Sequence, residues 1–368
     1  MCRGFNSLLN HSGDSALPAG SFFILQAFVF IIDFDIMQSI QIIGTQRSGS
    51  NMLRLMLNQV PEIAAPHPPH ILLNFFPLLP KYGDLEQPDH FQQLAEDICD
   101  FVKANPVSWE IDDLQPATLV ERCGHHGLID LYTAIYEEYA IRNQATMWCN
   151  KSMANFRFIP EIEAQGLRPI YIHLVRDGRD VAASFRKAIV GEKHIYHLAR
   201  QWKQDQENSE RFAQLYAADK YILLSYEDLI HEPEQTMQKL LDRLHLRFDS
   251  EVMSFYKTEE AKHTAEAGKM WNNVTQPVMK KNSNKFLTQL SSADIDLFES
   301  IAGDTLSHYG YKLHGNRDNY RSSFSEAEIA AFDVLNKKMK EEASSTLDPE
   351  GSKKRKAQEA VIQRIMRR

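Results

Sequence analysis

The sequence predicts an α/β protein: a parallel sheet flanked by helices, with a helical insertion and a helical tail at its C-terminal end. Three observations carry this. Short aliphatic runs recur at Ile40–Ile43, Pro169–Val175 and Tyr221–Leu224, each followed by a segment of helical character. Strands that alternate with helices pair in parallel, because the crossover returns the chain to the same end of the sheet. From about Phe91 to Asn143 apolar residues fall at helical spacing, with Leu94, Ile98, Phe101 and Val102 on one stripe and Leu128, Leu131, Ile135, Tyr136 and Tyr139 on another. Beyond Tyr311 the composition turns to charged, helix-forming residues.

Taken in order, the chain first presents an apolar run at Phe22–Ile32, FFILQAFVFII. About a dozen residues fall short of the roughly 20 that span a bilayer. Only Arg3 is basic before the run, and Asp33 and Asp35 follow it. Residues 1–36 are therefore read as an upstream extension or short hydrophobic leader ahead of a start at Met37, with an anchor through residues 22–32 as the alternative. The strand Ile40–Ile43 ends at Gly44, and Ser50–Asn58 reads as a helix rich in Leu and Met. Six prolines between Pro61 and Pro80 predict an irregular loop. A helix is expected from about Asp180. Past the last strand, Phe324–Glu342 is a charged helix, Ala343–Gly351 a linker and Ser352–Arg368 a basic helical tail. Its cluster Lys353, Lys354, Arg355, Lys356 is read as a solvated face, a contact with RNA, membrane or a partner subunit being the alternative. The organisation expected is thus 1–36, a folded domain over 37–315 and a charged tail over 316–368.

Composition excludes several classes. With 43% hydrophobic and 24% charged residues in 368, the chain can bury a full core. A formal net charge of -8 argues against a nucleic-acid binder with a globally basic surface, so an anionic ligand must be held by local positive charge. The four cysteines, Cys2, Cys99, Cys123 and Cys149, show neither CxxC nor metal-ligand spacing. Scattered thiols suit a reducing, cytoplasmic setting. Self-association into a homodimer is left open.

The segment Gly44-Thr45-Gln46-Arg47-Ser48-Gly49-Ser50-Asn51 lies between a strand and a helix. Backbone N–H groups at such a turn, with the start of the helix, make an anion nest. Gly44 and Gly49 have the spacing of the P-loop of nucleotide triphosphatases. Ser50 stands where that loop has its lysine and Asn51 where it has its magnesium-binding hydroxyl. Hydrolysis or transfer of a γ-phosphate needs both groups, which disfavours a P-loop-type small-molecule kinase. Arg47 remains as a planar, permanently charged donor. A second segment begins at Arg176, at the C-terminal end of a strand, where open α/β sheets bind ligands. Ser184 follows about two helical turns later, and the two could clamp a further phosphate.

GTQRSGSNMLRLML followed by IHLVRDGRDVAASF resembles the two donor-binding signatures of the sulfotransferase superfamily, in the form seen in its tyrosylprotein and bacterial branch. The resemblance covers roughly Ile40 to Tyr311. It implies a P-loop-NTPase-like fold, 3′-phosphoadenosine 5′-phosphosulfate (PAPS) as co-substrate and no metal. Arg47, Ser48, Gly49, Ser50 and Asn51 are then expected at the 5′ end of the donor, and Arg176 and Ser184 at its 3′-phosphate. Ser225-Tyr226-Glu227-Asp228 is similar to the family's tyrosine segment beside the nucleotide, so Tyr226 is a candidate contact. Lys280 and Lys281 resemble, loosely, a basic loop that closes over the 3′-phosphate, a solvated basic loop being the alternative.

Transfer of a sulfuryl group to a hydroxyl needs a base, positive charge on the migrating group and stabilisation of the leaving oxygen. The resemblance assigns the leaving group to Arg47 and a second cation to Lys151, in Cys149-Asn150-Lys151. The family's base position falls on His67, and histidine has the pKa for that role near neutral pH. His70 is the competing choice. The acceptor is a small-molecule, carbohydrate or peptide hydroxyl, or an amine. Its pocket is expected within Phe75–Asn143, whose Phe75, Phe76, Tyr82, Phe91 and Trp109 suit a core equally well. A non-catalytic phosphonucleotide-binding protein is the remaining alternative.

Overall fold

The computed structural model describes residues 37–345 and 349–368. The run Phe22–Ile32 lies outside them. Five strands, β1 (Gln38–Ile43), β2 (Ile63–Ala64), β3 (Met147–Asn150), β4 (Ile170–Val175) and β5 (Tyr221–Ser225), pair in parallel in the order β2-β3-β1-β4-β5. β1 is central, with Gln41 aligned to Asn150 on one side and Tyr171 on the other. Helices cover both faces of such a strand, so all its side chains must be accommodated in the interior. Ile40 and Ile42 enter one core cluster and Ile43 another. The buried Gln41 is held through its Oε1, which accepts from the Tyr132 hydroxyl at 3.0 Å and from Asn155 at 3.1 Å, while its Nε2 has no partner.

The sequence predicts three of these strands, with β4 and β5 within a residue of their ends. It misses β2 and β3, of two and four residues, which are too short to show periodicity.

The principal helices are α1 (Ser50–Leu57), α2 (Pro88–Lys103), α3 (Leu128–Arg142), α4 (Gly178–Lys187), α5 (Ile195–Ala217), α6 (Ser292–His308), α7 (Glu326–Ser345) and α8 (Pro349–Met366). The predicted helical insertion is therefore two long helices, α2 and α3, with the short helix Pro116–Arg122 between them. They bury Leu94, Ile98, Phe101, Leu131 and Ile135 in a core of their own. Phe75, Tyr82, Phe91 and Trp109 join it, so these aromatics are core and do not line a pocket.

The tail differs from the solvated helix expected. In α7, Asn336 Oδ1 accepts from the backbone N–H groups of Lys193 (2.8 Å) and His194 (3.0 Å). In α8, Val361, Ile362 and Ile365 form a stripe against the insertion core, and Ile365 is fully buried. The same helix supplies Arg364, which donates to Asp97 (2.8 Å) and Asp100 (2.7 Å), and is followed by Arg368, which donates to Asp97 at 2.6 and 3.0 Å. Asp97 has no solvent exposure, and its remaining partner is the Tyr82 hydroxyl at 2.7 Å. Removing the partners of a buried charge costs about 3–5 kcal/mol. The double variant Arg364→Ala/Arg368→Ala is thus expected to lose about 3 kcal/mol in urea unfolding. A loss near that of an exposed pair, below about 1 kcal/mol, would show that α8 does not anchor through Asp97.

Candidate active site at the strand ends

Each strand releases the chain into one cleft at its C-terminal end. β1 leads into the loop Gly44–Gly49, β2 into the segment holding His67 and His70, β3 into Lys151, β4 into Arg176 and β5 into Tyr226. The cleft encloses about 640 Å³ and is lined by all six of Arg47, His67, His70, Lys151, Arg176 and Tyr226. Ligands of open parallel sheets bind at this edge.

The loop is held from below. Gly44 N–H donates to the Met153 carbonyl (3.2 Å), and Thr45 Oγ1 accepts from Gln206 on α5 (3.1 Å). Arg47 and Gly49 both have left-handed φ, 71° and 88°. At Gly49 only glycine fits, for a Cβ would stand 2.4 Å from the Tyr226 ring. Gly49 caps α1 without a side-chain hydrogen bond, and the first turn has no acidic residue, so the opening N–H groups of α1 face the cleft uncompensated. Asn51 Oδ1 is buried at the cleft wall without a protein partner, whereas Ser48, its Oγ also unpartnered, is fully buried and does not line the cleft.

Above the loop stands a pair of arginines. Arg176 Nη1 donates to the Arg47 carbonyl (3.0 Å) and Nη2 to the Asn282 carbonyl (3.1 Å), while Nε is buried with no partner. Its guanidinium lies 4.4 Å from the centre of the Tyr226 ring. Arg47 Nε donates to Ser184 Oγ at 3.1 Å. Burial, then the charge of Arg176, lowers the Arg47 pKa. Asp180, 3.6 Å from Arg176, is the one acidic residue among the described residues lining the cleft. Arg179, by contrast, is tied to Asp177 (2.6 Å) and to Glu299, and faces Phe286. It is a structural residue. The resemblance places Arg47 and Ser184 at opposite ends of the donor, whereas here they meet.

The histidines come from the proline-rich segment. Arg54 on α1 donates to the Ala65 carbonyl (2.8 Å) and Asn58 accepts from Ala65 N–H (2.7 Å), which fixes that segment as it leaves β2. The His67 carbonyl accepts from Asn105 (2.9 Å) and Trp109 (2.7 Å). Its ring meets Trp271 edge-on, 5.1 Å between centres, and both ring nitrogens are buried without a partner. His70 Nδ1 pairs with Ser152 Oγ at 3.0 Å. Burial, then the charge of Lys151, holds His67 well below its ordinary value and His70 at about 3, so both rings are neutral at pH 7. Burial, with the charges of Arg54 and Arg47, lowers Lys151 to about 7.

Lys280 and Lys281 are exposed and outside the cleft wall, which is formed nearby by Asn282 and Lys285 instead. Asn282 Nδ2 also donates to the Tyr226 hydroxyl. Arg54, Asn58, Asn105 and Trp109, which position His67, have no local signature. They act through pairings that only the fold creates.

A parallel sheet with an uncapped helix start and a paired-arginine cleft at its carboxyl edge defines an anion-binding α/β protein of P-loop-like architecture. Residues 39–250, more than half of the chain, match the sulfotransferase family. The chain belongs to that family and is a sulfotransferase. No curated protein matches it. Solved structures similar to it include the sulfotransferase domain from the Synechococcus PCC 7002 olefin synthase, at 19% identity and TM-score 0.47 over 72% of this chain and 94% of that one. The sulfotransferase domain from the curacin biosynthetic pathway shows 20% identity and TM-score 0.49 over 75% and 99%. Among the described residues no helix is long and apolar enough to cross a membrane.

Lys151 provides a test of the cleft's electrostatics. Its folded pKa of about 7 lies below the ordinary 10.5, so bound phosphate favours the protonated ammonium, and affinity falls as pH rises through 7. Between about pH 7 and 9, where ligand phosphates are already ionised, the affinity for adenosine 3′,5′-bisphosphate is expected to drop by up to about tenfold per pH unit. Lys151→Arg should flatten this calorimetric profile. A flat profile in the unaltered protein would place the lysine out of reach of the ligand.

Proposed function

We propose that this sulfotransferase moves a sulfuryl group from PAPS to a hydroxyl acceptor at the strand-end cleft, within a catalytic domain spanning 37–315. The observation that carries the reading is the convergence of Arg47, Arg176 and Ser184 on the uncapped start of α1. The unpartnered Arg176 Nε, in the cleft wall, suits an anionic donor, because a buried polar group without a protein partner can be satisfied by a ligand. Two adjacent guanidiniums suit it equally, since an anion relieves their mutual repulsion.

When bound, PAPS supplies the sulfuryl group and departs as adenosine 3′,5′-bisphosphate. The acceptor oxygen forms the new S–O bond, the S–O bond to the phosphate breaks, and the hydroxyl proton goes to His67. A neutral imidazole is the form that accepts a proton, and although burial and then the charge of Lys151 weaken His67 as a base, an anionic donor beside it offsets that charge. Lys151 and Arg47 provide the charge that stabilises the departing phosphate oxygen. Arg176, with Ser184, holds the 3′-phosphate, and Tyr226 sets the position of Arg176 by stacking. His70, already paired with Ser152, orients the segment.

Two measurements test these roles. His67→Ala is expected to lower kcat by about 10²–10⁴-fold while the Kd for adenosine 3′,5′-bisphosphate stays within about twofold. If His70→Ala alone abolishes transfer, the base is His70. Arg176→Ala should weaken binding of adenosine 3′,5′-bisphosphate by about tenfold or more, the scale of one charge-assisted contact, and leave adenosine 5′-phosphate nearly unaffected. Equal losses for both ligands would remove Arg176 from the 3′-phosphate.

A further inference from the structure

The C-terminal helix α8 lies beyond the segment that matches the family, yet Arg355 and Gln358 line the cleft. Gln358 Nε2 donates to the Phe101 carbonyl (3.3 Å) in the last turn of α2. Four residues on, Asn105 also lines the cleft and holds the His67 carbonyl. Arg355, one helical turn before Gln358, lines the same cleft as Asn105, Pro106 and His70.

The charge balance is uneven. Arg47, Lys151, Arg176, Lys187, Lys285 and Arg355 line a cleft in which Asp180, already beside Arg176, is the acid among the described residues. That is a concentrated positive field in a protein of net charge -8. The proposed donor contacts use Arg47, Lys151 and Arg176. Asp180 is the cleft's one lining acid, and among the described residues Arg355 makes no ion pair. Its backbone is fixed all the same, because α8 is clamped through Ile365 in the insertion core and through Arg364 to the buried Asp97. A half-buried guanidinium on a clamped helix is a preorganised receptor for a carboxylate or phosphate, which it can engage through two parallel N–H donors.

We propose that α8 is the outer wall of the acceptor end, and that Arg355 selects acceptors carrying an anionic group, a carboxylate or a phosphate, near the hydroxyl to be sulfated. This rests on the donor reading above, which leaves the histidine end for the acceptor. The volume of about 640 Å³ falls in the range of small-molecule sites, ~300–1,000 Å³.

The test uses the full chain loaded with adenosine 3′,5′-bisphosphate, and matched probes: para-hydroxyphenylacetate and its amide, and β-hydroxyoctanoate and its amide. The para-hydroxybenzylphosphonate anion and its diethyl ester serve as the phosphate-like and neutral phenols. Binding is read by calorimetry, and transfer by labelled sulfate from PAPS. At least one acid is expected to bind about tenfold or more tightly than its neutral counterpart, the scale of a charge-assisted contact. Arg355→Gln should reduce that ratio to within about twofold, with the Kd for adenosine 3′,5′-bisphosphate unchanged. No acid preference in the unaltered protein, or an equal preference in Arg355→Gln, overturns the proposal. A variant that loses bisphosphate affinity instead assigns Arg355 to the donor and overturns it too. Failure of the unaltered protein to bind the bisphosphate at all would sink the donor reading itself, a separate outcome visible before any acceptor is added.

Discussion

Parallel pairing is the constraint on which everything else in this structure depends. Because β1 to β5 all point the same way, five connections leave the sheet at one edge. Each delivers a polar or charged residue within a few positions of its strand: Arg47, His67, Lys151, Arg176 and Tyr226. An antiparallel partner for β1 would turn one of these residues to the opposite edge. The sheet can impose this order because both its faces are buried, leaving the strand ends as the place where backbone N–H groups meet solvent or ligand. The two-residue β2 shows how little pairing suffices. Its register with β3, reinforced by Arg54 and Asn58 at Ala65, is enough to aim the histidine segment.

Gathering cations at one edge costs stability, and the packing shows where the cost is met. Arg176 is held by two carbonyls, Asp180 and the face of Tyr226, and Tyr226 in turn rests on Gly49 at a distance no side chain would tolerate. One glycine thus permits the turn, the stacking and the arginine's position. What the protein does not neutralise is equally informative. The Arg176 Nε, the Ser48 hydroxyl and both His67 nitrogens are buried without partners, and burial lowers Lys151 to about 7. Any anion that binds only the folded cleft would raise folding stability by mass action.

Legibility in the sequence followed the range of the interactions. The placement of the loop Gly44–Gly49 and of Arg176 at strand ends is legible because a strand-turn-helix unit is local: strand, glycines and helix start lie within a dozen residues. Lys151 is singled out only by the resemblance of Cys149-Asn150-Lys151, because the strand that precedes it is too short to detect. Trp109 illustrates the limit. Its ring packs with Tyr136 and Tyr139 as a core residue would, while its indole N–H fixes the His67 carbonyl, and no spacing announces a contact 42 residues apart. The basic tail was opaque for a related reason. Lys353 to Lys356 dominate its composition, while Val361, Ile362 and Ile365, which decide where it packs, form a stripe too short to outweigh the charge run.

The two halves of the cleft are built by different parts of the chain. The arginine side is made by residues attached directly to strand ends, so its geometry is set by the sheet. The cleft is completed by Asn105 and Pro106 from the insertion and by Arg355 and Gln358 from α8, elements joined to one another through Asp97, Arg364 and Arg368. In that joint the buried carboxylate of Asp97 is met by two partly exposed arginines, which ties α8 to the insertion. A substitution there would therefore move the α8 wall of the cleft while leaving the arginine pair and the α1 start, which are fixed by the strand ends, in place.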